Sequence, residues 1–289
     1  MAGALSRWWF EPVPPRRIDV LRVIVYAFLP LDMVLFTGGV WGHAEAATSV
    51  YRPVLLARLL HLPAADPALV RTLFAVVVAA GLVAATGRLP RAAGYVAALG
   101  YAQWVLLAMS YGKVDHDHLA LVVALFVLPG AGRASAEAAG WATRCVQVAV
   151  VATYFLSAYA KIRHGGWEWP NGATFQWAVT RRGTFLGHFL AGVPGVLLVG
   201  QWFVLLAEAA SPVLLFLRGR PLRAGVTFFL LFHLTTWAAI TIHFLPHVIC
   251  LAAFLPLERA RLRRGTGPAA AGPAAAAAGV SRDRRAVPR

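Results

Sequence analysis

The chain has 289 residues, 59% hydrophobic and 13% charged, with a formal net charge of +15 at neutral pH. That is more apolar surface than one soluble core can hide, so a soluble globular protein is excluded and a polytopic membrane protein is expected. The arginines behind the charge sit between apolar runs and in the C-terminal stretch, where they set topology, which excludes a nucleic-acid partner.

In residues 1–17, Trp8, Trp9 and Phe10 accompany Arg16 and Arg17, the composition of an interfacial arm on the cytoplasmic surface. No cleavable signal is read there, and the first span, 18–40, is expected to direct its own insertion. Inside that span Asp19 and Arg22 lie one turn apart and read as a local ion pair, whereas Asp32, just past Pro30, is expected to face the bundle interior. Pro53, Pro63 and Pro67 interrupt 41–68, to which no span is assigned. Spans at 69–87 and 92–111 flank the tight basic turn from Arg88 to Arg91.

The next apolar run, 119–128, is short of the roughly 20 residues a span needs unless the polar stretch Asp115-His116-Asp117-His118 is counted in it. Those histidines are therefore expected within or at the lip of the membrane. A small-residue loop with Arg133 and Arg144 leads to a span at 145–162 that ends in Lys161. A sixth span at 193–217 carries Glu208, and the run 224–257 is too long for one helix. His243 and Pro246 divide it into two spans, or one span and a re-entrant half. Cys145 and Cys250 stand singly inside apolar runs with no CxxC to cycle a disulfide or bind zinc, and read as small packing residues.

The expected fold is thus an all-α polytopic transmembrane helical bundle of seven to eight membrane segments over residues 18–258. Residues 259–289 read as a disordered basic Ala/Gly/Pro/Arg tail. With eight crossings, the arm, Arg88 and Arg91, Arg133 and Arg144, Arg218, Arg220 and Arg223, and the C-terminal end all fall on one side. That side is cytoplasmic, and the protein is placed in the cell membrane. The basic connection between Lys161 and Arg182 lies on the other face.

Lys161 closes an apolar helix on which Tyr154, Ser157 and Lys161 share one polar stripe. Gly165 and Gly166 break the helix beyond it, and Trp167, Trp169 and Trp177 are rings of the kind that settle at a membrane surface. A terminal lysine that snorkels to the interface is the plain account. Asp115 to His118 and Lys161 open and close neighbouring spans on the same external side, so they can meet. Glu208 and His233 are further polar residues within the membrane. His116 and His118 are two apart, which splays them on a helix, and no HxxHH cluster is present, so no metal is assigned. A structural role capping the following helix competes with chemistry at these histidines.

Four motifs in order carry a resemblance. Asp-His-Asp-His-Leu from Asp115, Tyr-Phe-Leu-Ser-Ala-Tyr-Ala-Lys-Ile-x4-Trp-x4-Gly from Tyr154, Leu-Leu-Ala-Glu ending at Glu208, and Phe-His-x9-Phe-Leu-Pro from Phe232 resemble the HTTM membrane domain shared by vitamin K-dependent gamma-carboxylases and bacterial relatives. The opening Asp19-Val-Leu-Arg22 is similar to that family's first helix, and the resemblance covers 18–257.

It implies Lys161 as a base at the external mouth with His116 assisting, and a reduced quinone of the vitamin K hydroquinone type as ligand. The expected site is one external polar cavity lined by His116, His118, Lys161, Glu208 and His233, with His118, Tyr154, Ser157, Trp167, Glu208, His233 and Trp237 as the expected substrate-binding set. The family's carboxylases carry a large non-membrane portion after this domain, where this sequence has only the tail. The expectation is therefore quinone or lipid chemistry rather than glutamate carboxylation. The alternative is a non-catalytic membrane subunit or a small proton-coupled carrier on the same scaffold.

Overall fold

The computed structural model describes residues 2–131 and 135–260, so Arg133 and the tail beyond residue 260 lie outside the described residues. Every regular element among them is helical, and the chain is an all-α, polytopic membrane-spanning bundle. Helix α1 (Ala2–Trp9) belongs to the arm and α2 (Pro15–Leu31) starts on a proline suited to a first helical turn. A single wide π turn, Asp32–Phe36, continues α2. Two short helices, α3 (Gly39–His43) and α4 (Leu55–Leu59), fill the connection to which no span is assigned.

Among the described residues, five helical stretches are long and apolar enough to cross a membrane. They are α5 (Pro67–Ala85), α6 (Ala92–Met109), α8 (Ala136–Gly165) with its trailing turn, α11 (Val196–Ala210) with the turn Ser211–Leu215, and α12 (Gly219–Ile240). Shorter helices complete the chain: α7 (Leu119–Ala131), α9 (Ala173–Arg182), α10 (Phe185–Ala191) and α13 (Leu245–Cys250). Local chemistry sets several starts. Asp66 caps α5 by accepting from the N–H groups of Ala68 and Leu69 at 2.9 and 3.0 Å, and Ser135 caps α8. At 30 residues, α8 is about 45 Å long, more than the hydrocarbon thickness, and it ends at Gly166 with φ +63°.

Helix α2 is not among the five because Asp19, Arg22 and Asp32 interrupt its apolar run, yet it lies inside the bundle. Ile18, Leu21, Val25, Tyr26 and Leu29 are buried, and the helix packs against α5, α7 and α8. Arg22 reaches the Asp19 carboxylate at 3.0 Å, and Asp32 is fully buried. The long final run breaks at 241–244, close to His243, with Thr241 in the left-handed region at φ +57°. Helix α13 and the 3-10 turn Leu251–Phe254 together rise about 17 Å, little over half the hydrocarbon core.

Contacts gather at two ends. At one, Glu11 accepts from Arg144 at 2.5 Å and from Arg218 at 2.7 Å, the Val13 N–H donates to the Ala136 carbonyl, and Arg17 pairs with Glu258 at 2.8 Å. The expected interfacial arm thus docks on the bundle, with Arg144 over the Trp8 ring. Gly140 of α8 is what lets it come so close, because a Cβ there would stand 2.0 Å from the Glu11 carbonyl oxygen. At the other end Phe36 meets His243 edge-on at 4.5 Å, and His116 lies 6.4 Å from Phe244 between ring centroids. This second end carries the candidate site.

Candidate functional site

Helices α8 and α11 pack side by side, and the Ser157–Lys161 end of the α8 stripe faces Glu208 on α11. Lys161 Nζ donates to Glu208 Oε2 and to Ser157 Oγ, the latter at 2.9 Å, and Ser157 Oγ donates to Glu208 Oε1 at 3.5 Å. The Lys161 side chain is 21% exposed and that of Glu208 8%, so the pair sits at the rim of the interior with the acid on the inner side. Opposite charges this close offset part of each other's desolvation.

Beyond Gly166 the chain turns once in a 3-10 helix, Gly166–Glu168, and brings the Trp169 ring to 5.2 Å from Lys161 Nζ, within cation–π range. The Trp169 carbonyl accepts from Gln201 Nε2. Gln201 is fully buried and lies on the same face of α11 as Glu208, so one helix holds both the carboxylate and the aromatic cover of the lysine.

A cavity of about 520 Å³ opens beside this group. Its polar lining is His116, Thr153, Ser157, Lys161 and His164, and its walls include Leu119, Leu156 and Trp169. The turn His116–His118 before α7 is a 3-10 helix, in which residues three apart eclipse. His116 and Leu119 therefore both face the cavity, while Asp117 and His118 turn inward and are buried.

The single cavity expected to hold His116, His118, Lys161, Glu208 and His233 is divided. His118 lines no part of it, since its two ring nitrogens lie 3.2 Å from Asp117 and 3.2 Å from Asp32. Glu208 reaches the cavity only through Lys161. His233 and Trp237 line a second cavity of about 320 Å³ with His243, Phe244 and Leu245. Tyr154 belongs with that second group, its hydroxyl 2.6 Å from His233 Nε2 and its ring edge-on to His247 at 4.5 Å. Trp167 is 72% exposed, and Trp169 takes the place beside the lysine. Sequence reasoning passed over Gln201 and His247. A glutamine in an apolar run two turns before a buried acid is the signal that marks Gln201.

Among the described residues no three His, Cys, Asp or Glu side chains gather in a metal-binding group. The arrangement pairs an amine with an acid and a nearby imidazole, against apolar walls and one indole face. It can receive an amphiphile whose oxygen reaches Lys161 while its ring lies against Trp169 and the leucines. No family model, curated protein or solved structure matches this chain, so the chemistry of the site rests on its own geometry.

Proposed function

We propose that this is an HTTM-type membrane protein of eight crossings with cytoplasmic termini, whose external cavity binds a reduced quinone or a lipid of similar polarity, with Lys161 as proton acceptor. The observation that carries the reading is Lys161 and His116 lining one apolar-walled cavity of about 520 Å³. That volume falls within the ordinary range of about 300–1,000 Å³ for small-molecule sites. The eight-crossing count is supported by Glu11, Arg144, Arg218, Arg17 and Glu258 clustering at one end, opposite His116 and Lys161.

A reduced quinone presents an aromatic ring and weakly acidic hydroxyl groups, which supply the proton chemistry when it is bound. A base must first be an amine, and Glu208, bonded to Lys161 Nζ, is placed to take the lysine's proton. The free amine then accepts the ligand hydroxyl's proton, leaving the pair with one positive charge and the ligand with one negative. Ser157 holds Nζ in position, and His116, which lines the same cavity, is there to bond the oxygen that becomes charged.

The test is binding of a reduced naphthoquinone to the protein in nanodiscs, read by tryptophan fluorescence. Lys161→Ala removes one charge-assisted hydrogen bond of about 1.5–3 kcal/mol, so at least a tenfold loss of affinity is expected, with Arg220→Ala close to wild type. Equal affinity in Lys161→Ala, or none in wild type, overturns the proposal. The Lys161–Glu208 pair also favours a proton-coupled carrier as a second reading, because protonation can break an ion pair inside a membrane. Uptake into proteoliposomes driven by a pH gradient and abolished by Glu208→Gln would put that reading first.

A further inference from the structure

Asp32 is fully buried and makes polar contacts with three side chains. Oδ2 accepts from the Tyr101 hydroxyl at 2.7 Å and the Thr37 hydroxyl at 3.1 Å, and Oδ1 lies 3.2 Å from His118 Nε2. Thr37 Oγ1 in turn accepts from Trp104 Nε1 at 2.8 Å. The backbone is shaped to the same end. The Thr37 N–H bonds the Asp32 carbonyl five residues back at 2.8 Å, the wide turn that brings Thr37 round to the acid's own side chain.

Beyond His118, Asp117 grips the other imidazole nitrogen at 3.2 Å, so the inner face of the turn His116–His118 is bonded on both sides. In a three-residue turn, fixing the second and third residues fixes where the first one points. The first is His116, which together with Leu119 faces the cavity.

We infer that Asp32 is a positioning residue for the cavity: through His118 it locks the 3-10 turn in the rotation that presents His116 to the space that Lys161 also lines. The inference rests on the proposed cavity only for the use to which His116 is put. The placement itself follows from the hydrogen bonds. Asp32→Asn keeps the shape of the side chain but removes its charge and turns one acceptor oxygen into a donor, so a His118 ring that donates at both nitrogens loses one acceptor in a fully buried site. His118 then gives up either its contact with residue 32 or one of its protons, and the charge-assisted hold on the turn is lost in both cases.

The experiment uses protein labelled with ¹³C-histidine in nanodiscs, with the His116 ring resonance assigned by His116→Gln. Wild type should show one sharp His116 line. Asp32→Asn should shift or broaden it, together with that of His118, while His188, in α10, is unchanged. An unmoved His116 line in folded Asp32→Asn overturns the inference. So does disturbance of all nine histidine lines together, which makes Asp32 a fold-holding residue only. If Asp32→Asn does not fold, His118→Gln removes the ring that links Asp32 to the turn, and an unmoved His116 line there overturns the inference.

A second arm measures reduced naphthoquinone affinity in Asp32→Asn, His116→Ala and the double variant. An acid acting through His116 adds less than twofold on top of His116→Ala, and a full independent loss overturns the inference. Wild type that binds nothing refutes the quinone reading alone and leaves the resonances to decide.

Discussion

If the Lys161–Glu208 pair is a buried contact between α8 and α11, its two halves should be unequal and strongly coupled. Removing one partner of a buried pair costs about 3–5 kcal/mol, because the other charge is left without compensation. Glu208 is the more enclosed, at 8% exposure against 21% for Lys161, so Lys161→Met, which strands the carboxylate, is expected to cost about 4 kcal/mol. Glu208→Gln leaves an ammonium that can still turn outward and keep Ser157, and is expected to cost about 2 kcal/mol. Independent sites would sum to about 6 kcal/mol. The double variant leaves no stranded charge and should lose no more than about 3 kcal/mol, a coupling of at least about 3 kcal/mol. The assay is unfolding in mixed micelles titrated with a denaturing detergent, followed by helical circular dichroism across the four proteins. Additivity within about 0.5 kcal/mol, or single variants as stable as wild type, would refute the buried pair and make Lys161 a residue that reaches for water.

Two other outcomes test the end where the arm and the segment around Glu258 pack. Gly140→Ala puts a methyl group where only 2.0 Å separates it from the Glu11 carbonyl, so the arm must lift, at an expected cost of about 1–3 kcal/mol, seen as faster protease cleavage between α1 and α2. The hydrogen bond from Arg17 holds the Glu258 carboxyl below its ordinary range. A depressed pKa stabilises above the unfolded value and is lost as pH falls through the folded one. Docking of the segment around Glu258 on α2 should thus hold at neutral pH and weaken in acid, below about pH 4. Hydrogen exchange at residues 255–260 reads it, and Arg17→Gln should make the segment mobile at every pH.

The apolar runs were legible because a membrane solvent demands them, and the polar exceptions Asp32, Lys161, Glu208 and His233 stood out for the same reason. What could not be read was which exceptions meet. Lys161 and Glu208 come together because α8 and α11 are neighbours, and helix adjacency depends on packing that no local pattern records. The separation of His116 from His118 turns on a backbone detail. Two apart, they share a face only on an extended chain, whereas a helical turn splays them, and here the 3-10 turn sends one to the cavity and the other to Asp32. Trp169 replaced Trp167 for a similar reason, since the left-handed Gly166 and the turn after it set which indole comes back toward the lysine. Helix α2 reads from the sequence as a span although its charges weaken its apolar signal: Arg22 and Asp32 are tolerated because protein, not lipid, surrounds them, while Asp19, near the helix start, is exposed.

The geometry also bears on the plainest account of Lys161. A lysine that snorkels extends its ammonium toward water and headgroups. This one turns toward α11, where Glu208 and Ser157 take its hydrogen bonds and Trp169 covers it. Snorkelling therefore does not describe it, and two explanations are left: an ion-pair staple between helices, or a base held ready beside its proton store. They share the stability coupling and differ at the cavity. A staple has no use for His116, and its strength is indifferent to what enters the space between them. A base must exchange its partner, so an oxygen ligand competes with Glu208 for Nζ and should weaken the Lys161–Glu208 coupling as it binds. Repeating the four-protein unfolding cycle with saturating reduced naphthoquinone separates the two: an unchanged coupling makes the pair a staple, and a coupling that falls by about 1 kcal/mol or more makes it the site.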